Sequence, residues 1–259
     1  MCLIFIGLDA HPRHRVVVAA NRDEFRARPA RPAAPWPGAP HVVAGVDETA
    51  GGTWLGATTD GRWAVLTNVR AQDVASGPRP DARSRGALVA GFLTGTVQPE
   101  AAAAEAFARR DTYRGFNLVV GDGAEAWIAS TRLDAPRALG AGVYGLSNDT
   151  LDTPWPKLVR GRDAFAAALA RDADDDAYLA LLRDTTRPPD AELPETGVGL
   201  QKERFLSTAF IDGPDYGTRV STLLTVGDGV RLRERTWARG ARPARDVSWR
   251  SSGAGWRQR

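Results

Sequence analysis

The chain has 259 residues, 43% of them hydrophobic and 25% charged, with a formal net charge of +3. That composition is globular and supplies a substantial core. No apolar stretch approaches the ~20 residues that span a bilayer. The run Leu3-Ile4-Phe5-Ile6 is too short for a signal peptide's apolar region, and no basic segment precedes it. A cytoplasmic protein without stable membrane insertion is expected.

Only Lys157 and Lys202 are lysines among the 34 basic residues, and this arginine bias, with abundant Ala, Pro and Gly, reads as GC-rich coding. The arginines are spread along the chain beside acidic residues. A nucleic-acid footprint needs clustering, so no nucleic-acid partner is expected. Cys2 is the single cysteine, which excludes internal disulfides and cysteine-cluster metal sites.

In chain order, Cys2 to Leu8 and Arg15 to Ala20 read as strands of one hairpin joined by a short polar loop. Both are apolar at nearly every residue, so both faces should be covered. Arg28 to Pro40 is Pro-rich and unsuited to a sheet interior. A second hairpin runs from Gly52 to Ala57 and from Arg62 to Asn68. Helices are predicted over Arg85 to Leu93 and Pro99 to Arg110. Phe116 to Gly121 and Ala124 to Ser130 form a third hairpin, followed by the segment Val143 to Asn148. Two more helices, Trp155 to Arg171 and Asp174 to Arg183, precede a loop-like stretch from Thr186 to Lys202. Thr218 to Val226 and Val230 to Trp237 make the last hairpin.

Sequential hairpins separated by helix pairs imply antiparallel sheets with helices on their outer faces. With no linker or repeat, residues 1–237 are read as one domain and 238–259 as a basic, flexible C-terminal tail. His11, His14 and His41 are read as solvated turn residues, and no metal site is expected. The Leu-Pro-Glu-Thr-Gly run at 193–197 spells a sorting signal, but no apolar segment follows it, so the match is set aside.

Removal of Met1 would make Cys2 the first residue. Its α-amine, with a pKa near ~8, could then take the thiol proton directly or through one water. If Leu8 faces Arg15, Cys2 faces Asn21, and cross-strand partners share a face at ~5 Å. Asn21 and Asp23 would then lie near the thiol, with Arg22 and Glu24 turned away; a one-residue slip exchanges the two sets. A thiolate held near an ammonium and Arg22 is expected to alkylate faster than free cysteine.

Several words in order carry a resemblance: Met1-Cys2, Asn21-Arg22-Asp23-Glu24, Gly51-Gly52-Thr53-Trp54-Leu55-Gly56, Leu66-Thr67-Asn68, Ser84-Arg85-Gly86 and Gly115-Phe116-Asn117. Gly145-Leu146-Ser147-Asn148, Thr153-Pro154-Trp155-Pro156-Lys157 and Tyr216-Gly217-Thr218-Arg219 follow. From Met1 to about Trp237 the chain resembles the NRDE family, that of transport and Golgi organisation protein 2.

That family in turn looks like the N-terminal-nucleophile (Ntn) hydrolases of the choloylglycine hydrolase and penicillin acyltransferase kind. The resemblance implies an α+β fold, a four-layer αββα sandwich of two antiparallel sheets flanked by helices. It implies a Cys2 nucleophile, Arg22 and Asp23 orienting the amine, and Asn68 and Asn148 as oxyanion or α-amine contacts. Asn21, Glu24, Trp54 and the late arginine Arg219 are the implied substrate contacts. Asp23 and Glu24 both stay open as the working carboxylate, because those hydrolases carry an Arg-Asn-x-Asp order here.

The activity implied is a cysteine-nucleophile amide or thioester hydrolase or acyltransferase needing no cofactor for catalysis. The alternative is a non-catalytic carrier. Family members are linked to haem trafficking and to acyl-coenzyme A or lipid homeostasis, so the expected ligand is an acyl compound or haem.

Overall fold

Strand β1 (Cys2–Leu8) is buried at every residue, and β2 (His14–Phe25) is buried from Val16 to Asp23. Two apolar faces need two covering layers, and the computed structural model, which describes residues 2–70, 81–253 and 255–259, supplies them.

One seven-stranded sheet has the order β10-β1-β2-β11-β12-β13-β14. Here β10 is Gly142–Leu146, β11 Tyr216–Gly227, β12 Gly229–Ala238, β13 Arg242–Ser252 and β14 Gly255–Gln258. The second sheet, also seven-stranded, runs β3 (Ala30–Trp36), β4 (Ala39–Asp47), β5 (Leu55–Thr58), β6 (Trp63–Asn68), β7 (Phe116–Gly121), β8 (Ala126–Ser130) and β9 (Arg137–Leu139). All neighbouring strands are antiparallel.

Even-numbered residues of the first hairpin, Ile4, Ile6, Val16 and Val18, meet Val65, Val119 and Ile128 in the core between the sheets. Odd-numbered Leu3, Phe5, Val17 and Ala19 pack outward on α3 (Pro156–Ala170) and α4 (Asp175–Leu181). Helices α1 (Gly86–Thr94) and α2 (Pro99–Ala108) cover the other sheet through Val89, Phe92, Leu93, Ala103 and Ala106. The result is the four-layer αββα sandwich. Gly161 makes the close approach of α3 to β1 possible, because a Cβ there would fall 2.2 Å from the Phe5 ring.

Three expectations are corrected. The tail is not flexible along its length: β13 and β14 extend the first sheet, Val247 is buried, and Trp249 and Trp256 donate to Ala33 O and His41 O, both at 2.9 Å. Indole faces decide this, since arginines between them hide the alternation. The Pro-rich stretch stays out of the sheet interior as expected: its strand, β3, lies at a sheet edge where missing N–H groups cost no ladder bond. The loop-like stretch ends in a helix, α5 (Leu200–Leu206). His11 is not solvated: its side chain is 3% exposed, Nε2 lies 3.1 Å from Asp172 and the ring stacks on His14 at 4.7 Å.

Candidate active site

The first hairpin's register differs by one residue from the expected one. Cys2 pairs with Arg22 and Leu3 with Asn21, because Leu8 pairs with Val16 and not with Arg15. Asp9, at φ 47, and its N–H donated to Arg15 O lengthen the turn. Apolar residues on both faces leave the register unspecified by pattern alone.

Consequently Cys2 and Arg22 point between the sheets and Asn21 points away. Asn21 is fully buried and satisfied, donating from Nδ2 to Leu182 O (2.8 Å) and Ala209 O (2.9 Å) and accepting from Ser221 Oγ (2.6 Å). It holds β2 to the outer layer and does not line the cleft.

Cys2 lines a cleft of about 250 Å³ between the sheet ends, with Arg22, Glu24, Trp54, Asn68 and Glu234 among its walls. Arg22 Nη2 donates to Asp47 Oδ2 at 2.8 Å, and Arg28 Nε donates to the same oxygen at 2.7 Å. Glu24 bridges both guanidiniums at 3.7 and 3.8 Å. Gly52, at φ +73, closes the rim: a Cβ there would lie 2.4 Å from Gly86 O, so two of the glycine-bearing sequence words meet backbone to backbone.

Asn148 does not line the cleft. It is buried and donates from Nδ2 to Asn68 O (3.1 Å) and Oδ1 (2.9 Å), which turns the Asn68 amide nitrogen to the opposite edge of that carboxamide. The neighbouring Ser147 Oγ donates to Cys2 O at 3.0 Å. The end of β10 thus holds both the cysteine backbone and the asparagine.

Arg219 is also displaced from its expected place. It sits at the bulge where β11 pairing with β2 shifts between Thr218 and Val220, and Nη1 donates to Phe25 O (2.9 Å) and Arg28 O (2.8 Å). It props up the end of β2 and does not line the cleft.

Asp23 is 1% exposed, and Thr218 Oγ1 donates to its Oδ1 at 2.6 Å. Burial pushes its carboxyl pKa up, opposed by Lys157 and Arg70. Burial likewise pushes the Cys2 thiol up; Asp23 and Glu24 add to this while Arg22 opposes it. A thiolate poised at rest is therefore not what this environment favours, and the sulfur needs a base to ionise. Met1 lies outside the described residues.

Sequence reasoning missed a buried charged group behind Asp23. Lys157 is 3% exposed, donates to Leu206 O at 2.8 Å, and burial lowers its pKa to about 8 against the pull of Asp23. Arg70 and Glu203 pair at 2.7 Å with both side chains 4% exposed. Glu234, also missed, accepts from Ala33 N at 2.8 Å, and burial raises its pKa to about 7. Signals existed for two of them. Lys157 is one of two lysines in an arginine-rich chain, and Glu234 continues the inward parity of Val230 and Leu232.

A family model described as Transport and Golgi organisation 2 matches residues 1–239. The cattle (Bos taurus) protein named Transport and Golgi organization protein 2 homolog is 36% identical, with 91% of this chain and 93% of that protein covered. The human (Homo sapiens) homolog is 34% identical over the same shares. Among solved structures, a mutant conjugated bile acid hydrolase from Clostridium perfringens superposes with a TM-score of 0.52 at 8% identity, covering 100% of this chain and 96% of that one. The fold is that of the Ntn hydrolases, and the chain belongs to the Transport and Golgi organisation 2 family.

Proposed function

We propose that this chain is an acyl-transfer enzyme, an amide or thioester hydrolase or acyltransferase whose nucleophile is Cys2 after removal of Met1. The carrying observation is the position of the only cysteine. It begins β1, faces Arg22 on the inner side of the sheet, and lines a cleft with Asn68.

The α-amine of Cys2 accepts the thiol proton, and the sulfur attacks the substrate carbonyl. Asn68, oriented by Asn148, donates to the developing oxyanion. The C–N or C–S bond then breaks, the ammonium returns its proton to the leaving group, and water or an acceptor amine cleaves the thioester. Asp23 beside Thr218 is the carboxylate suited to hold the ammonium, while Glu24 is committed to Arg22 and Arg28.

A carrier without chemistry is the second reading, favoured by the burial that pushes the thiol pKa up. Between the expected ligands, the cleft suits an acyl compound better than haem. Its 250 Å³ lies below the ~300–1,000 Å³ of drug-sized pockets, and Cys2 is 8% exposed.

Turnover of a panel of acyl amides and thioesters by Cys2→Ala and Cys2→Ser distinguishes the readings. Acyl transfer requires that both variants fold and that activity falls by about three orders of magnitude or more. Wild-type turnover in Cys2→Ala eliminates it.

A further inference from the structure

We propose that the Cys2 cleft selects anionic ligands: acyl compounds bearing a carboxylate or phosphate near the carbonyl that meets the thiol. This rests on the reading of the cleft as the ligand site and adds the charge of what enters it.

Arg22 is 8% exposed, and its Nη1 is buried without a hydrogen-bond partner among the described residues. The acids around it are already engaged. Asp47 accepts from Arg22 and Arg28 through Oδ2, and from Thr49 N and Ala50 N through Oδ1. Glu24 accepts from Phe25 N and lies 3.7 Å from Arg22 and 3.8 Å from Arg28. A guanidinium offers five donors in a planar fork that matches carboxylate and phosphate oxygens. The donor left over on Arg22 lies on the inner face shared with Cys2.

The cleft wall is also unbalanced in charge. Six arginines and four carboxylates line it. One of the four is Glu234, whose pKa of about 7 leaves it half-protonated near neutrality. At the mouth, the exposed Arg83 lies over the Tyr113 ring at 5.5 Å and has no acidic partner among the described residues. A cationic ligand would meet Arg83 on entry and Arg22 at the thiol; an anionic one is drawn past the first to the second.

Cys2 itself reports this selectivity without knowledge of the substrate. Iodoacetate and iodoacetamide share a leaving group and nearly a size, so the ratio of their alkylation rate constants cancels thiol pKa and access. In the wild-type chain at low ionic strength, intact mass should give an iodoacetate-to-iodoacetamide ratio about tenfold above that of free cysteine, as expected for one charge-assisted hydrogen bond. Arg22→Gln should return it to the free-cysteine value, and Arg83→Gln should lower it about twofold in a salt-sensitive way. Protection against iodoacetamide by inorganic phosphate or by acetate, at matched ionic strength in chloride, tells a phosphate-bearing ligand from a carboxylate. A wild-type ratio at or below that of free cysteine, or no protection by either anion, overturns the proposal. Either result would do so even if Cys2→Ala abolishes turnover, so failure here is distinct from failure of the acyl-transfer reading.

Discussion

Lys157 is held in the low-dielectric layer behind Asp23, where a charged ammonium is costly and its pKa falls from 10.5 to about 8. Between those values the unfolded chain binds more protons than the folded one, so this lysine makes stability rise with pH. Denaturant unfolding should show wild type gaining up to about 3 kcal/mol over Lys157→Met between pH 8 and 10.5. A pH-independent difference would mean that Lys157 is ionised in the fold much as it is in water.

Glu234 has the opposite sign. Its pKa rises from 4.5 to about 7, so the stability it contributes is complete below 4.5 and is lost as pH climbs through 7. Glu234→Gln keeps an acceptor for Ala33 N and should be more stable than wild type above pH 7, by up to about 3 kcal/mol. Equal stabilities at pH 8 would contradict this. The polar run from Asn21 to Glu24 marked the site in the sequence, yet the roles within it were not legible. Parity assigns Arg22 to the cleft and Asn21 to the outer layer, and parity depends on a turn one residue longer than the hairpin pattern suggests.

At the scale of elements, helices α1 to α4 and most hairpins were legible because each is bounded by Gly, Pro or Asp and carries its own period. Strands β4 and β13 were not, since alternation is broken by prolines in the segment before β4 and masked by exposed arginines in β13. The β13–β14 hairpin joins the two sheets through the indoles of Trp249 and Trp256. Trp249→Ala should therefore destabilise the fold by roughly 2–3 kcal/mol, lower than for a fully buried tryptophan because Trp249 is half-buried. Deleting residues 239–259 should lower the melting temperature further by exposing the edge of β12. An unchanged melting temperature in the truncated chain would show that the added strands are ornamental.

At the scale of the molecule, two apolar-faced sheets leave their polar strand ends as the one place where β1, β2, β6 and β10 converge, and Cys2 begins there. Among the described residues, no helix is long and apolar enough to cross a membrane. The sandwich was readable from paired hairpins and helix pairs, whereas the chemistry depends on whether Cys2 carries a free amine. Intact mass of the untagged protein, purified in a form that turns over an acyl substrate, tests this most directly. Loss of Met1 is the expected result; uniform retention of Met1 in the active protein would contradict a nucleophile that uses its own amine as base.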